Sequence, residues 1–202
     1  MSDPLLNLVT SIAGNLAPRV IEASGRRLKK LLVGSEKEQA IKRCLEAGLT
    51  AMLNSVTWED KEERNHVDTL FREFFKEEDV APALAALIKG NELDREELRT
   101  IFEEVGYDPQ TLPGIDFDRA VAAYEVGFID QAVQEKELQG IIQTEQLLNI
   151  LRTHREHLKE SKTHTELLQR IETILENIER SARRIVREHQ EAEKEEETLK
   201  NA

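Results

Sequence analysis

Residues 168–185 read Leu168-Gln-Arg-Ile171-Glu-Thr-Ile-Leu175-Glu-Asn-Ile178-Glu-Arg-Ser-Ala182-Arg-Arg-Ile185. Leu168, Ile171, Leu175, Ile178, Ala182 and Ile185 recur in steps of three and four, which places them on one face of a helix made to pack against another helix. Glu, Gln, Asn, Arg, Thr and Ser fill the positions between them, with Ile174 as the one apolar exception. No segment of the chain alternates convincingly with period two, so the pattern predicts an all-α protein, a helical bundle with a coiled-coil-like C-terminal part.

The register of this seam limits what it packs against. Leu168, Leu175 and Ala182 occupy a positions and Ile171, Ile178 and Ile185 occupy d positions. Isoleucine packs awkwardly at d of a parallel two-stranded coil, so leucine at a with isoleucine at d favours higher assemblies. Leu167 and Ile174 at g and Val186 at e widen the strip further. Glu166 with Arg170, Glu176 with Arg180 and Glu179 with Arg183 add three i,i+4 pairs, each worth about 0.3–0.5 kcal/mol. The seam therefore predicts an interaction surface that buries against several helices, within its own domain or between copies. After Arg187 the face turns glutamate-rich and the tail frays.

Upstream, His154, His157 and His164 continue the same face. Two histidines at i,i+3 suit a shared metal, and a buried histidine row suits a pH switch. No cysteine or close third ligand completes a tetrahedral set, so the expectation is a solvated or loosely packed helix face and no metal. From Gln134 onward no proline occurs and Gly140 is the lone glycine, so the tract reads as one long helix or a helical hairpin. The candidate corner is Glu160-Ser161-Lys162-Thr163-His164, where Thr163 and Glu166 form a capping box.

The first 135 residues read as shorter helices. Asp3 caps a helix carrying Leu5, Leu8, Val9, Ile12, Ala13 and Leu16, which Pro18 interrupts. A second piece holds Val20, Ile21, Leu28, Leu31 and Leu32 and closes at Gly34. Ser35 caps a helix with Ala40, Ile41, Cys44, Leu45, Leu49, Met52 and Leu53 inside, and Thr57 caps one facing inward through Val67, Leu70, Phe71, Phe74 and Phe75. Asp79–Lys89 is a short helix stopped by Gly90. Asp94 with Glu97 opens the next, lined by Leu98, Ile101, Phe102 and Val105. Asp116 restarts a helix with Val121, Tyr124, Phe128 and Ala132 inward. The organisation is residues 1–33 as amphipathic helices with a basic cluster, 34–135 as an acidic bundle, and 136–202 as the long helix or hairpin.

Charge and chemistry narrow the function. The 202 residues carry a net charge of −12, which argues against nucleic-acid binding. Residues 34–135 hold 11 basic against 24 acidic groups, whereas residues 1–33 hold five basic against two acidic. The lone Cys44, at an apolar helical position, fits a reducing cytoplasm and a buried small hydrophobe. No phosphate loop, nucleophile elbow or zinc motif occurs, so no catalytic residue and no cofactor is assigned. Asp116-Phe117-Asp118 is half a calcium loop without its downstream ligands and reads as a helix cap. A candidate membrane contact remains: Leu5, Leu8, Val9, Ile12 and Leu16 followed by Arg26, Arg27, Lys29 and Lys30. Against it stands the reading of a core helix with a basic outer face.

Three stretches carry a family resemblance: Ala86–Gly90, Leu98–Gly106 and Thr111-Leu112-Pro113-Gly114-Ile115-Asp116-Phe117-Asp118, continuing through Ala120–Phe128 to Leu138–Ile142. Over roughly residues 5–150, in helix order and in the Leu-Pro-Gly-hydrophobic-Asp loop, the chain resembles the helical N-terminal domains that precede NACHT-type ATPase modules in bacterial, notably cyanobacterial, NLR-like signalling proteins. The resemblance implies an effector or adaptor domain of a defence or signalling ATPase, acting by oligomerisation, partner contact or membrane attack. No ATP-binding module follows, so the chain reads as an excised domain or a stand-alone relative. The expected function is a non-catalytic interaction and oligomerisation module with a protein partner or a second copy. The alternative is a membrane-active helical effector using residues 1–33.

Overall fold

The stretch from Ala120 to Ile129 is apolar on every side of a helix except for Glu125, and a helix without a polar face belongs inside a protein. The computed structural model, which describes residues 4–56, 61–106, 116–142, 144–159, 168–178 and 180, places it so: every residue from Ala120 to Ile129 is buried. The helices are α1 (Pro4–Ala23), α2 (Arg26–Leu32), α3 (Ser35–Asn54), α4 (Lys61–Phe74), α5 (Val80–Ile88), α6 (Arg95–Glu104), α7 (Phe117–Gln134) and α8 (Thr144–Lys159). Residues 168–178 are also helical, and no strand occurs among the described residues. The all-α expectation holds.

Two small residues set the heart of the bundle. α3 lies on α7 as the most extensive helix pair, and α1 covers α3 and α5. A Cβ at Gly48 would come within 2.9 Å of the Tyr124 ring. One at Gly127 would come within 2.6 Å of the Ala47 carbonyl oxygen and 2.7 Å of Ala51 Cβ. Glycine on both helices lets their backbones approach more closely than any side chain would permit. Around this pair, Phe71, Phe75, Phe74, Phe102 and Phe117 form a run of ring contacts that joins α4 to α6 and α7, with centroids 5.0–6.2 Å apart.

Several ends follow the expected chemistry. Asp94 accepts from the Glu97 N–H at 3.0 Å and Asp116 from the Arg119 N–H at 3.0 Å, so both act as caps. Asp118 faces Arg99 at 2.8 Å, consistent with a cap and its neighbour rather than a calcium loop. Cys44 is fully buried, and burial pushes its thiol pKa well up, which makes it an inert core residue.

Three local expectations are corrected. Pro18 does not interrupt α1, which continues to Ala23. Pro18 and Gly14, the residue whose carbonyl the proline leaves unbonded, both lie on the exposed face, open to solvent. The break comes instead at Gly25, with φ of 94°. Ser35 is the first residue of α3 and makes no capping bond; Gly34 precedes it with φ of 129°. The helix expected from Gln134 onward starts only at Thr144. Glu135 leaves the helical path to meet Arg43, a 3-10 turn spans Lys136–Leu138, and Leu138 and Ile142 turn into the core around Gly140 at φ 76°.

The chain forms two compact units, Met1–His154 and Arg155–Ala202. The first contains α1–α7 and most of α8. In the second, Ile171, Ile174 and Leu175 are buried, and Leu168 and Ile178 are half-buried. Ala182, Ile185, the 160–164 corner, the Thr57 cap, the 107–115 loop and the glutamate-rich tail lie outside the described residues.

Candidate functional site

The lone charge in the apolar stretch of α7 is the centre of the most unusual chemistry in the first unit. Glu125 is fully buried, and a carboxylate removed from water costs several kcal/mol unless it is paired. Three elements supply partners. The extended connector between α5 and α6 donates the Leu93 N–H to Glu125 Oε1 at 2.8 Å. His154 of α8, 2% exposed, brings its Nε2 to 2.7 Å from Glu125 Oε2, close but out of line for a well-formed hydrogen bond. Arg95, at the start of α6, reaches in from the surface to 3.8 Å from Glu125 Oε2 and 3.2 Å from His154 Nδ1.

A guanidinium only donates, so in its 3.2 Å contact with Arg95 the His154 Nδ1 is the acceptor. The burial of His154 overturns the solvated half of the expectation for this face. Leu147, Ile150, Leu151 and His154 form the buried face of α8, and the histidine is the polar end of that face.

A second ionic pair ties α3 to the end of α7. Arg43 donates through Nε and Nη2 to the two Glu135 oxygens at 2.7 and 2.5 Å, and Gln131 adds a bond at 2.6 Å. The Arg43 guanidinium and the Gln131 amide outweigh burial and hold the Glu135 carboxyl below its usual range. Arg43 is correspondingly pushed up, chiefly by its bond to Glu135.

These groups position helices. Each carboxylate and imidazole is occupied by a neighbour from another element, and among the described residues no group of three His, Cys, Asp or Glu side chains is arranged to hold a metal. The Tyr124 hydroxyl is buried without a hydrogen-bond partner, and burial pushes its pKa up, so it is a core group and not an acid near neutrality.

The residues singled out in the sequence fall into two sets. Leu8, Val9, Ile12 and Leu16 are buried and Leu5 is half-buried, so the N-terminal stripe faces the core. Arg26, Arg27 and Lys30 are exposed, while Lys29 is half-buried and paired with Glu22. The seam residues Ile171 and Leu175 are buried, with Leu168 and Ile178 partly open.

The helix order, the buried α7 and the cap at Asp116 now stand beside a direct comparison. The family described as NACHT N-terminal Helical domain 2 matches residues 7–180. The chain belongs to this family. No curated protein and no solved structure matches it. NACHT N-terminal helical domains are a non-catalytic type of module; ATPase activity resides in the separate NACHT domain. No helix among the described residues of this NACHT N-terminal helical domain is long and apolar enough to cross a membrane.

Proposed function

We propose that this domain is an adaptor or effector module of a bacterial NACHT-type signalling or antiviral defence system, working in the cytoplasm by joining protein partners or copies of itself. The family match over residues 7–180 carries this reading. A helical domain attached to a switching ATPase contributes through contact, and the buried ionic groups of this one are committed to holding its own helices together.

The contact is assigned to the seam. Ile171, Ile174 and Leu175 are covered within the chain, while Leu168 and Ile178 are half-buried and open to a partner; Ala182 and Ile185 continue the same spacing in the sequence. Replacing Ile178 and Ile185 by aspartate tests the assignment with the buried centre intact. Light scattering of the 202-residue chain should show a concentration-dependent mass above the monomer, which the double variant lowers without changing its helicity. A monomeric parent, or an unchanged mass in the variant, would sink the assembly role of the seam.

A further inference from the structure

The buried N-terminal stripe leaves the basic cluster beside it unexplained, and the structure gives that cluster a different apolar companion. α2 is a seven-residue helix between two glycines of positive φ, Gly25 at 94° and Gly34 at 129°. It is anchored by Leu32, which is fully buried. On either side of that anchor the segment faces solvent: Arg26, Arg27 and Lys30 are exposed, and so are two large aliphatic side chains, Leu31 at 43% and Val33 at 59%. Leu6 is the remaining large hydrophobic residue that is comparably exposed among the described residues.

Helical spacing groups these side chains. Arg27, Lys30 and Leu31 stand at i, i+3 and i+4, and Arg26 and Lys30 at i and i+4, so cations border the leucine on the outer face. Nearby groups neutralise only part of the charge. Glu22 takes Lys29, Lys37 donates to the Leu31 carbonyl, and Glu36 and Glu38 lie in the first turn of α3. Arg26, Arg27 and Lys30 have no partner among the described residues. The rest of the bundle is strongly acidic, and a Debye length of about 8–10 Å at ordinary ionic strength screens distant charge from this corner.

We propose that the α2 corner is a peripheral docking surface for an anionic lipid bilayer, with Arg26, Arg27 and Lys30 at the headgroups and Leu31 and Val33 inserted among them. Charge complementarity selects the occupant. Unpartnered cations around protruding aliphatic side chains match an interface that is negative at its surface and apolar just beneath. The docking requires no helix to span the bilayer and no opening of the core, since Leu8, Val9, Ile12 and Leu16 stay buried.

The test is co-sedimentation of the intact chain with phosphatidylcholine vesicles, with and without about one-third phosphatidylserine, at low and at high salt. Binding is expected only to the anionic vesicles and is lost at about 0.5 M salt. Each basic residue at such a surface contributes about fivefold, so Arg26→Gln/Arg27→Gln/Lys30→Gln should weaken binding by roughly a hundredfold. Leu31→Ser/Val33→Ser should weaken it several-fold while keeping the salt dependence. All five positions face solvent, so thermal melts of both variants should overlay the parent. Equal binding to neutral vesicles, no binding to anionic ones, or parent-like binding by the triple variant would overturn the proposal. Capture of a soluble acidic peptide in place of vesicles would overturn it equally, by assigning the corner to a protein partner.

Discussion

Glu125 is the residue on which sequence and structure part most instructively. It is the lone charge in an apolar run from Ala120 to Ile129, and that irregularity is itself the legible signal of a buried polar partner. The identity of the partner was not legible. His154 lies 29 positions away on another helix, three residues after Leu151, and its spacing alone fits a solvated face as well as a buried one. Only the placement of His154 beside Glu125 decides between them. His154→Leu should cost about 1–3 kcal/mol, because it leaves the buried Glu125 Oε2 facing an apolar side chain. Glu125→Gln combined with His154→Leu should lose less than the sum of the two single changes, since the amide oxygen still accepts from Leu93. Chemical denaturation of the four chains in a double-mutant cycle measures the coupling. Additive losses would mean that Glu125 and His154 do not depend on one another.

At the level of elements, helix positions were readable because apolar spacing and caps are local. Asp94, Asp116, Gly90 and the Val67–Phe75 face all follow from residues within one or two turns. The misreadings share a different cause. Pro18 was expected to break α1, but whether a proline breaks a helix depends on where its unbonded carbonyl points, and here that is solvent. The tract after Gln134 has no proline, yet its helix stops because Glu135 finds Arg43 from α3, a contact 92 positions away. In both cases the surroundings decide what local spacing does not: solvent at Gly14 and Pro18, Arg43 at Glu135. The same distinction separates two glycines that look alike in the sequence. Gly14→Ala in α1 meets nothing within 4 Å, so the gain in helix propensity should stabilise the protein by up to about 1 kcal/mol. Gly127→Ala in α7 meets the Ala47 carbonyl oxygen at 2.6 Å and Ala51 Cβ at 2.7 Å; parting α3 from α7 should destabilise it by about 1–3 kcal/mol. Thermal melts of the two variants should move in opposite directions.

For the whole molecule, the excess of negative charge and one ion pair act on stability with opposite pH dependence. The net charge is −12 near neutrality and the isoelectric point is about 5.0, so acidification toward pH 5 relieves self-repulsion in the folded state. Glu135 works the other way. Its folded pKa is depressed by the Arg43 and Gln131 hydrogen bonds, so its contribution is fully present above the unfolded carboxylate value of about 4.3 and disappears as pH falls through the folded value. Because this pair joins α3 to the end of α7, the helices with the widest mutual packing, its loss weakens the bundle as a unit. Hydrogen bonds to a charged group of this kind contribute about 1.5–3 kcal/mol, and Glu135→Gln should lose a comparable amount at pH 7. The parent and the variant should converge below the folded pKa of Glu135, where both present a neutral side chain to Arg43. Subtracting the two stability curves, measured by urea unfolding from pH 7 down to about 3, removes the background of the other carboxylates. A difference that stays constant across that range would show that the Glu135 carboxylate adds no charge-dependent stability and that Arg43 recognises only the shape of the side chain.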